Sequence, residues 1–177
     1  MGLKLTALIW GLAEATFFFI VPDVLLTFVS LKHRRQATRL CFWALGGALA
    51  GGVIMFAWGA MHKDSAVHFL EQVPAINRPL IQEVGHQVET RGAMATLAGP
   101  LAGKPYKVYA VQAGAGDVSL PMFVLISIPA RLLRFLLATW AGSAIFNGIF
   151  RTMEPSKKIL LLFCAWIAFY SWFFSVM

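Results

Sequence analysis

The sequence is poor in charge. Only 13 % of its 177 residues are Asp, Glu, Lys or Arg, against about a quarter in an ordinary soluble domain. With a hydrophobic fraction of 59 %, that scarcity excludes disorder and a solvated coiled coil, and it argues against a soluble enzyme. Cysteine is scarce too. Cys41 and Cys164 each sit inside a long apolar run and read as small buried hydrophobes, not as a disulfide scaffold or a metal pair. No GxSxG, HExxH or Cys–His arrangement occurs, and His33, His62, His68 and His86 show no metal-ligand spacing. Neither catalysis nor a cofactor is therefore expected. Acidic residues are few, eight against fifteen Lys and Arg, which leaves a net charge of +7. No aromatic-interleaved basic groove or nucleic-acid motif accompanies that excess. It reads as membrane topology, with Lys and Arg held in cytoplasmic loops, and nucleic acid is not an expected partner.

What the sequence has is long apolar runs. Residues 40–61 and 159–177 carry no Asp, Glu, Lys or Arg, and each matches the roughly 20 residues a spanning helix needs. Residues 118–150 are interrupted only by Arg131 and Arg134. Split there, the two pieces would reach roughly 20 and 24 Å, short of a roughly 30 Å hydrocarbon core. A single tilted helix across 120–150 is the better reading, with Pro129 as a kink point. The N-terminus resembles a signal peptide up to Ala13-Glu14-Ala15, but a more apolar stretch follows, so it is expected to be retained. Met1-Gly2 with Thr6 also fits a weak myristoylation pattern.

Two further apolar regions, 3–31 and 93–117, are each broken by proline near the middle and carry ionisable residues at the break. Irregular backbone at membrane depth survives only under cover of protein or a watery cavity. Basic loops at 32–39 and 151–158 should share the cytoplasmic side. They do so only if one of the intervening segments enters and returns, which makes 93–117 re-entrant. The architecture expected is an all-α membrane protein: a re-entrant hairpin (3–31) and transmembrane helix (40–61), an amphipathic helix within 65–92, an inverted hairpin (93–117) and helix (120–150), and a final transmembrane helix (159–177). Inverted repeats with broken helices are a transporter feature. The 65–92 stretch repeats Leu80, Val84 and Val88 at helical spacing, after turns at Pro74 and Pro79. Gly47 and Gly51 form a GxxxG pair, suited either to internal packing or to a homo-oligomer face.

The ionisable residues in apolar context are Glu14, Asp23, Lys104, Lys107, Asp117, Arg131 and Arg134. Such residues persist when they pair, line water or bind a charged ligand. Arg131 and Arg134 are three apart and share a helix face, so their partner is either the carboxylates Glu14 and Asp23 or a ligand phosphate. Lys104 and Lys107 add positive charge, suited to an anionic headgroup. Glu14 is either a proton carrier or a permanent ion-pair partner, and Asp23 either joins it or serves as a turn or N-cap residue. Gly114-Ala115-Gly116-Asp117 lacks the strand context and ending of a phosphate loop and reads as a turn.

In order and spacing these residues resemble the DedA family, also called the VTT or SNARE-associated superfamily, over roughly residues 10–150. The likeness runs through Glu14-Ala-Thr-Phe-Phe-Phe-Ile-Val-Pro22-Asp23, the glycines Gly46, Gly47, Gly51 and Gly52, and Gly99-Pro100-Leu-Ala-Gly103-Lys104-Pro105-Tyr-Lys107 with Ala113-Gly114. Phe123, Arg131, Arg134 and Phe135 complete it. Where the family usually shows two arginines around a Pro-Gly turn, this chain has Lys104 and Lys107, and lysine lacks the bidentate fork. The chain looks like a compact branch. The resemblance implies two facing re-entrant hairpins and movement of lipid across the bilayer. In bacterial members it implies recycling of a polyprenyl phosphate carrier with proton coupling, and in eukaryotic relatives phospholipid scrambling.

The expectation is a lipid translocase of a bacterial inner membrane. Lys104, Lys107, Arg131 and Arg134 would bind the anionic headgroup, while Glu14 and Asp23 would supply ion pairing or proton coupling. The rival readings are a scaffold with structural ion pairs and a membrane enzyme acting on a lipid phosphate.

Overall fold

The computed structural model describes residues 2–99 and 102–176. Nine α-helices account for most of them, and no strand occurs among the described residues. Among the described residues, three helices are long and apolar enough to cross a membrane: α3 (Arg34–Met61), α8 (Leu120–Ala144, continued by a π-helical turn Ile145–Ile149) and α9 (Pro155–Val176). These features fit a membrane protein. Helix α8 runs unbroken through Pro129, Arg131 and Arg134, as the length argument requires.

Around α3 the other helices are arranged by glycine. On α3, Gly47 lies against Leu8 and Leu12 of α1 (Leu3–Thr16), and Gly51 lies against Leu12 and Ala15. Gly11 of α1 sits in turn on Ala44. The contacts advance together along both chains, so α1 and α3 run parallel. The close approach that the GxxxG pair permits is thus made within the chain, against α1. Further along, Gly52 faces the Tyr106 ring and Gly59 faces Val111 of α7 (Tyr106–Ala115), so α7 runs parallel to the second half of α3. Helix α8 runs the other way: Phe123 packs on Phe56 at 5.2 Å, and Thr139 meets Cys41 at 3.3 Å.

Each proline-broken region is a pair of helices joined by irregular backbone. In the first, α1 ends at Thr16, whose hydroxyl folds back onto the carbonyls of Leu12 and Ala13. Pro22 cannot supply the N–H that would continue it, and α2 (Asp23–Ser30) sets off in the opposite direction. In the second, a 3-10 turn (Gly92–Met94) and a short α6 (Ala95–Ala98) lead to a bend before α7. That bend closes through Ala102 and Lys104 N–H groups donating to the Gly99 carbonyl, with Gly103 at φ +81°. Pro100 and Leu101 of the expected turn lie outside the described residues.

The hydrophilic stretch holds more than the amphipathic helix expected through Leu80, Val84 and Val88. It forms two helices, α4 (Lys63–Glu71) and α5 (Arg78–Arg91), joined through Pro74, with Ala75 at φ 64°. Asn77 caps α5 by accepting from the Leu80 N–H, and Pro79 sits in its first turn. Leu70, Val73, Ile76, Leu80, Val84 and Val88 are buried. The pair is therefore folded onto the bundle. Asp117 is exposed in the turn between α7 and α8.

Because Arg34 lies over the Trp140 ring and Trp140 bonds Thr38, α3 begins where α8 ends. The basic loops 32–39 and 151–158 accordingly share one end of the bundle. There Lys4, Lys32, Arg34, Arg35 and Arg39 border a surface groove of about 620 Å³. Helix α9 runs back from that end along α2, with Phe163 beside Phe28 and Phe174 beside Phe19, and most of it is exposed.

Candidate functional site

The two breaks meet. The ammonium of Lys107, in the first turn of α7, donates to the carbonyl of Phe18 in the first break at 2.7 Å. Beside this contact lies a cavity of about 250 Å³. Phe18, Phe19 and Val21 of the first break line it, with Glu14 just before them. Ala102, Gly103, Lys104 and Pro105 of the second break face them, with Lys107 just after. The α4–α5 joint contributes Val73 to Ile76, α8 contributes Arg134, and α9 closes one wall with Phe169, Tyr170, Trp172 and Phe173.

Backbone freed from helix must find partners when it is buried. Here side chains from distant elements provide them. Val21 N–H donates to the Tyr170 hydroxyl at 2.9 Å, Trp10 Nε1 donates to the Ile20 carbonyl at 2.9 Å, and Lys107 satisfies Phe18. The first break is therefore held open in one shape. Tyr170→Phe would leave the Val21 N–H without its acceptor. It is expected to lower stability by about 1–2 kcal/mol, read from unfolding curves in detergent, with a parallel loss for Trp10→Phe.

The charges are mostly paired. Arg131 reaches both carboxylate oxygens of Glu14, which is 4 % exposed, while Arg131 is fully buried. The Arg131 guanidinium is also enclosed between rings, 4.9 Å from Tyr106 and 4.8 Å from Phe135. Tyr106 stacks in turn on Phe123. Arg134 Nε donates to Asp23 Oδ2 at 3.2 Å, and Asp23 opens α2, where the helix dipole favours a carboxylate. The pairing considered for the sequence, Glu14 and Asp23 with Arg131 and Arg134, is the one observed.

Of the residues singled out in the sequence, Glu14, Lys104, Lys107 and Arg134 come together on the cavity wall. Arg131 does not line it; it stands behind Glu14 in its aromatic enclosure. Asp23 lies behind Arg134, and its Oδ1 has no hydrogen-bond partner. Lys104 turns to the outer helices and pairs with Glu83 of α5. Sequence reasoning missed Tyr106, Trp10, Tyr170 and the α4–α5 joint. An aromatic inside an aromatic-rich run carries no local mark of a distant bond, although Pro74 did mark the joint as a turn. Among the described residues, no group of three or more His, Cys, Asp or Glu side chains is placed to hold a metal.

Comparison with known proteins adds one relative. A protein of Haemophilus influenzae described only as an uncharacterized protein is 27 % identical over 154 residues, covering 80 % of this chain and 74 % of that one. No family model matches the chain, and no solved structure matches it significantly.

Proposed function

We propose that the chain is a DedA-like lipid translocase of a bacterial inner membrane, in which two re-entrant hairpins pass an anionic headgroup between them. The observation that carries this reading is the meeting of the two breaks at a cavity with a cationic side and an aromatic side. The hairpin reading has support in the packing. If the first hairpin and α3 are exchanged for the second hairpin and α8, the partners exchange as well: α1 packs on α3 as α6 packs on α8, and α2 packs on α8 as α7 packs on α3. That exchange supports the inverted-repeat reading. The relative in a bacterium fits the proposed setting.

In this mechanism Lys107 and Arg134 draw the phosphate of a phospholipid or polyprenyl phosphate into the cavity. The acyl or prenyl tail stays in lipid, against the exposed face of α9. As the headgroup engages Arg134, the Asp23 carboxylate loses part of its counter-charge. Its unpartnered Oδ1 then offers a position for a proton. No covalent chemistry is involved.

The test is lipid movement in proteoliposomes. Lys107→Met and Arg134→Met each remove a charged hydrogen-bond donor and are expected to slow the initial rate roughly tenfold or more. Unchanged rates in chains that remain folded would sink the mechanism. A second reading, a scaffold whose charges only pair, draws support from the closed environment of Arg131.

A further inference from the structure

Apart from the cavity, positive charge collects at the end of the bundle where α3 begins. Lys4 of α1, Lys32 and His33 of the turn after α2, and Arg34, Arg35 and Arg39 of α3 border the groove of about 620 Å³. No Asp or Glu lines it. Its five Lys and Arg side chains are exposed, and the ion pairs among the described residues use none of them. Glu154, the one acid of the basic loop 151–158, is paired with Lys157. The start of α3 is also the positive end of its dipole, where a carboxylate is the favoured neighbour. Its first turn carries two arginines and no acid. Arg35 and Arg39, four apart, share one face of the helix. Membrane topology asks only that cations stay on one side. It does not ask that α1, the turn and α3 bring them round one concavity.

Depth identifies the occupant. Helix α3 has 28 residues, roughly 42 Å at a rise of about 1.5 Å each. The hydrocarbon core takes roughly 30 Å of that length, so about four residues at each end stand among headgroups. Arg34 and Arg35 are in the first turn. Two indoles stand at the rim under cations: Lys4 Nζ is 5.9 Å from the Trp43 ring and Arg34 Cζ is 5.8 Å from the Trp140 ring. Such rings favour the membrane interface. We propose that this groove binds a lipid whose headgroup links two phosphodiesters, of the diphosphatidylglycerol type. One phosphodiester offers two free oxygens and one negative charge, fewer than five cations can engage. Two linked phosphodiesters offer four oxygens and two charges, and Arg35 and Arg39 can each take a pair of oxygens in a forked bond. The volume of about 620 Å³ lies within the roughly 300–1,000 Å³ typical of ligand pockets. Basic pockets between spanning helices, near one face of the membrane, suit headgroups of this kind. The groove shares no lining residue with the cavity, and its ligand is independent of the translocase reading.

The experiment measures binding to the full chain in detergent, where topology plays no part. Native mass spectrometry follows titrations with diphosphatidylglycerol, phosphatidylglycerol and phosphatidylcholine, and gives the affinity of each. Diphosphatidylglycerol is expected to bind roughly tenfold tighter than phosphatidylglycerol supplied at equal total phosphate. Arg35→Gln with Arg39→Gln should weaken that binding roughly tenfold or more and make it less sensitive to salt. Arg151→Gln with Lys158→Gln removes the same charge from the same end, outside the groove, and should leave the affinity within about twofold. Phosphatidylglycerol binding as tightly as diphosphatidylglycerol overturns the two-phosphate ligand. Equal losses from the two double variants overturn the groove as the site, because charge alone then accounts for binding. Displacement of the lipid by inorganic pyrophosphate or a short single-stranded oligonucleotide, at equal phosphate concentration, overturns a lipid as the occupant. If the chain with Arg35→Gln and Arg39→Gln does not fold, Lys4→Gln with Lys32→Gln is read in its place. An affinity that this second pair leaves unchanged overturns the groove equally.

Discussion

Arg131→Met is expected to destabilise the chain by about 3–5 kcal/mol, the range for stranding one member of a buried ion pair. Glu14 is the group stranded. It is 4 % exposed, and Arg131 is its ion-pair partner among the described residues. Glu14→Met should cost a similar amount by stranding a guanidinium that is wholly buried between two rings. The double replacement, Glu14→Met with Arg131→Met, should recover most of the loss, because two apolar side chains of similar volume need no counter-charge. Unfolding in detergent with the four chains gives the coupling directly. A double replacement no more stable than either single one would show that the two residues act separately. The recovered chain also separates the two readings of the site. If it is stable and still moves lipid, the pair only fixes the first hairpin beside α8. If it is stable and inert, Glu14 takes part in transport.

That pair also shows how far the sequence could be read. The spans were legible because hydrocarbon thickness sets a length that uncharged runs either meet or miss, and α3, α8 and α9 meet it. The breaks were legible because proline and charge interrupt an apolar run only where something covers them. The shared face of Arg131 and Arg134 followed from their spacing on one helix. Which arginine takes which carboxylate did not, because Glu14 and Asp23 stand on opposite sides of a break where no periodicity carries over. The same blindness hid Tyr170, whose bond to Val21 spans the chain almost end to end. The partner of Lys104 was hidden for another reason. Glu83 stands on α5, a separate helix that shares no periodicity with the second break, and α5 folds back far enough to bring it there.

Gly47→Ala should be the most damaging small substitution on α3, and Gly46→Ala the control beside it. A Cβ on Gly47 would stand 1.9 Å from the Leu8 carbonyl oxygen and 2.8 Å from the Leu12 nitrogen. Both are backbone atoms of α1, so no rotamer change relieves the clash and the helix itself must withdraw. Overpacking of this kind costs about 3 kcal/mol or more when the neighbour cannot yield. A Cβ on Gly46 meets nothing within 4 Å, and alanine is favoured over glycine inside a helix by up to about 1 kcal/mol. That variant should be neutral or slightly stabilised. The contrast also reaches the site. Leu12 and Glu14 share the last turns of α1, so moving α1 off α3 carries the Glu14 carboxylate away from Arg131. Gly47→Ala should therefore lose both packing and pairing, and part of its cost should vanish when Glu14 and Arg131 have already been replaced by methionine. Unfolding curves for Gly47→Ala in the two backgrounds measure that part. Equal costs in both would mean that α1 can shift along α3 without disturbing the pair.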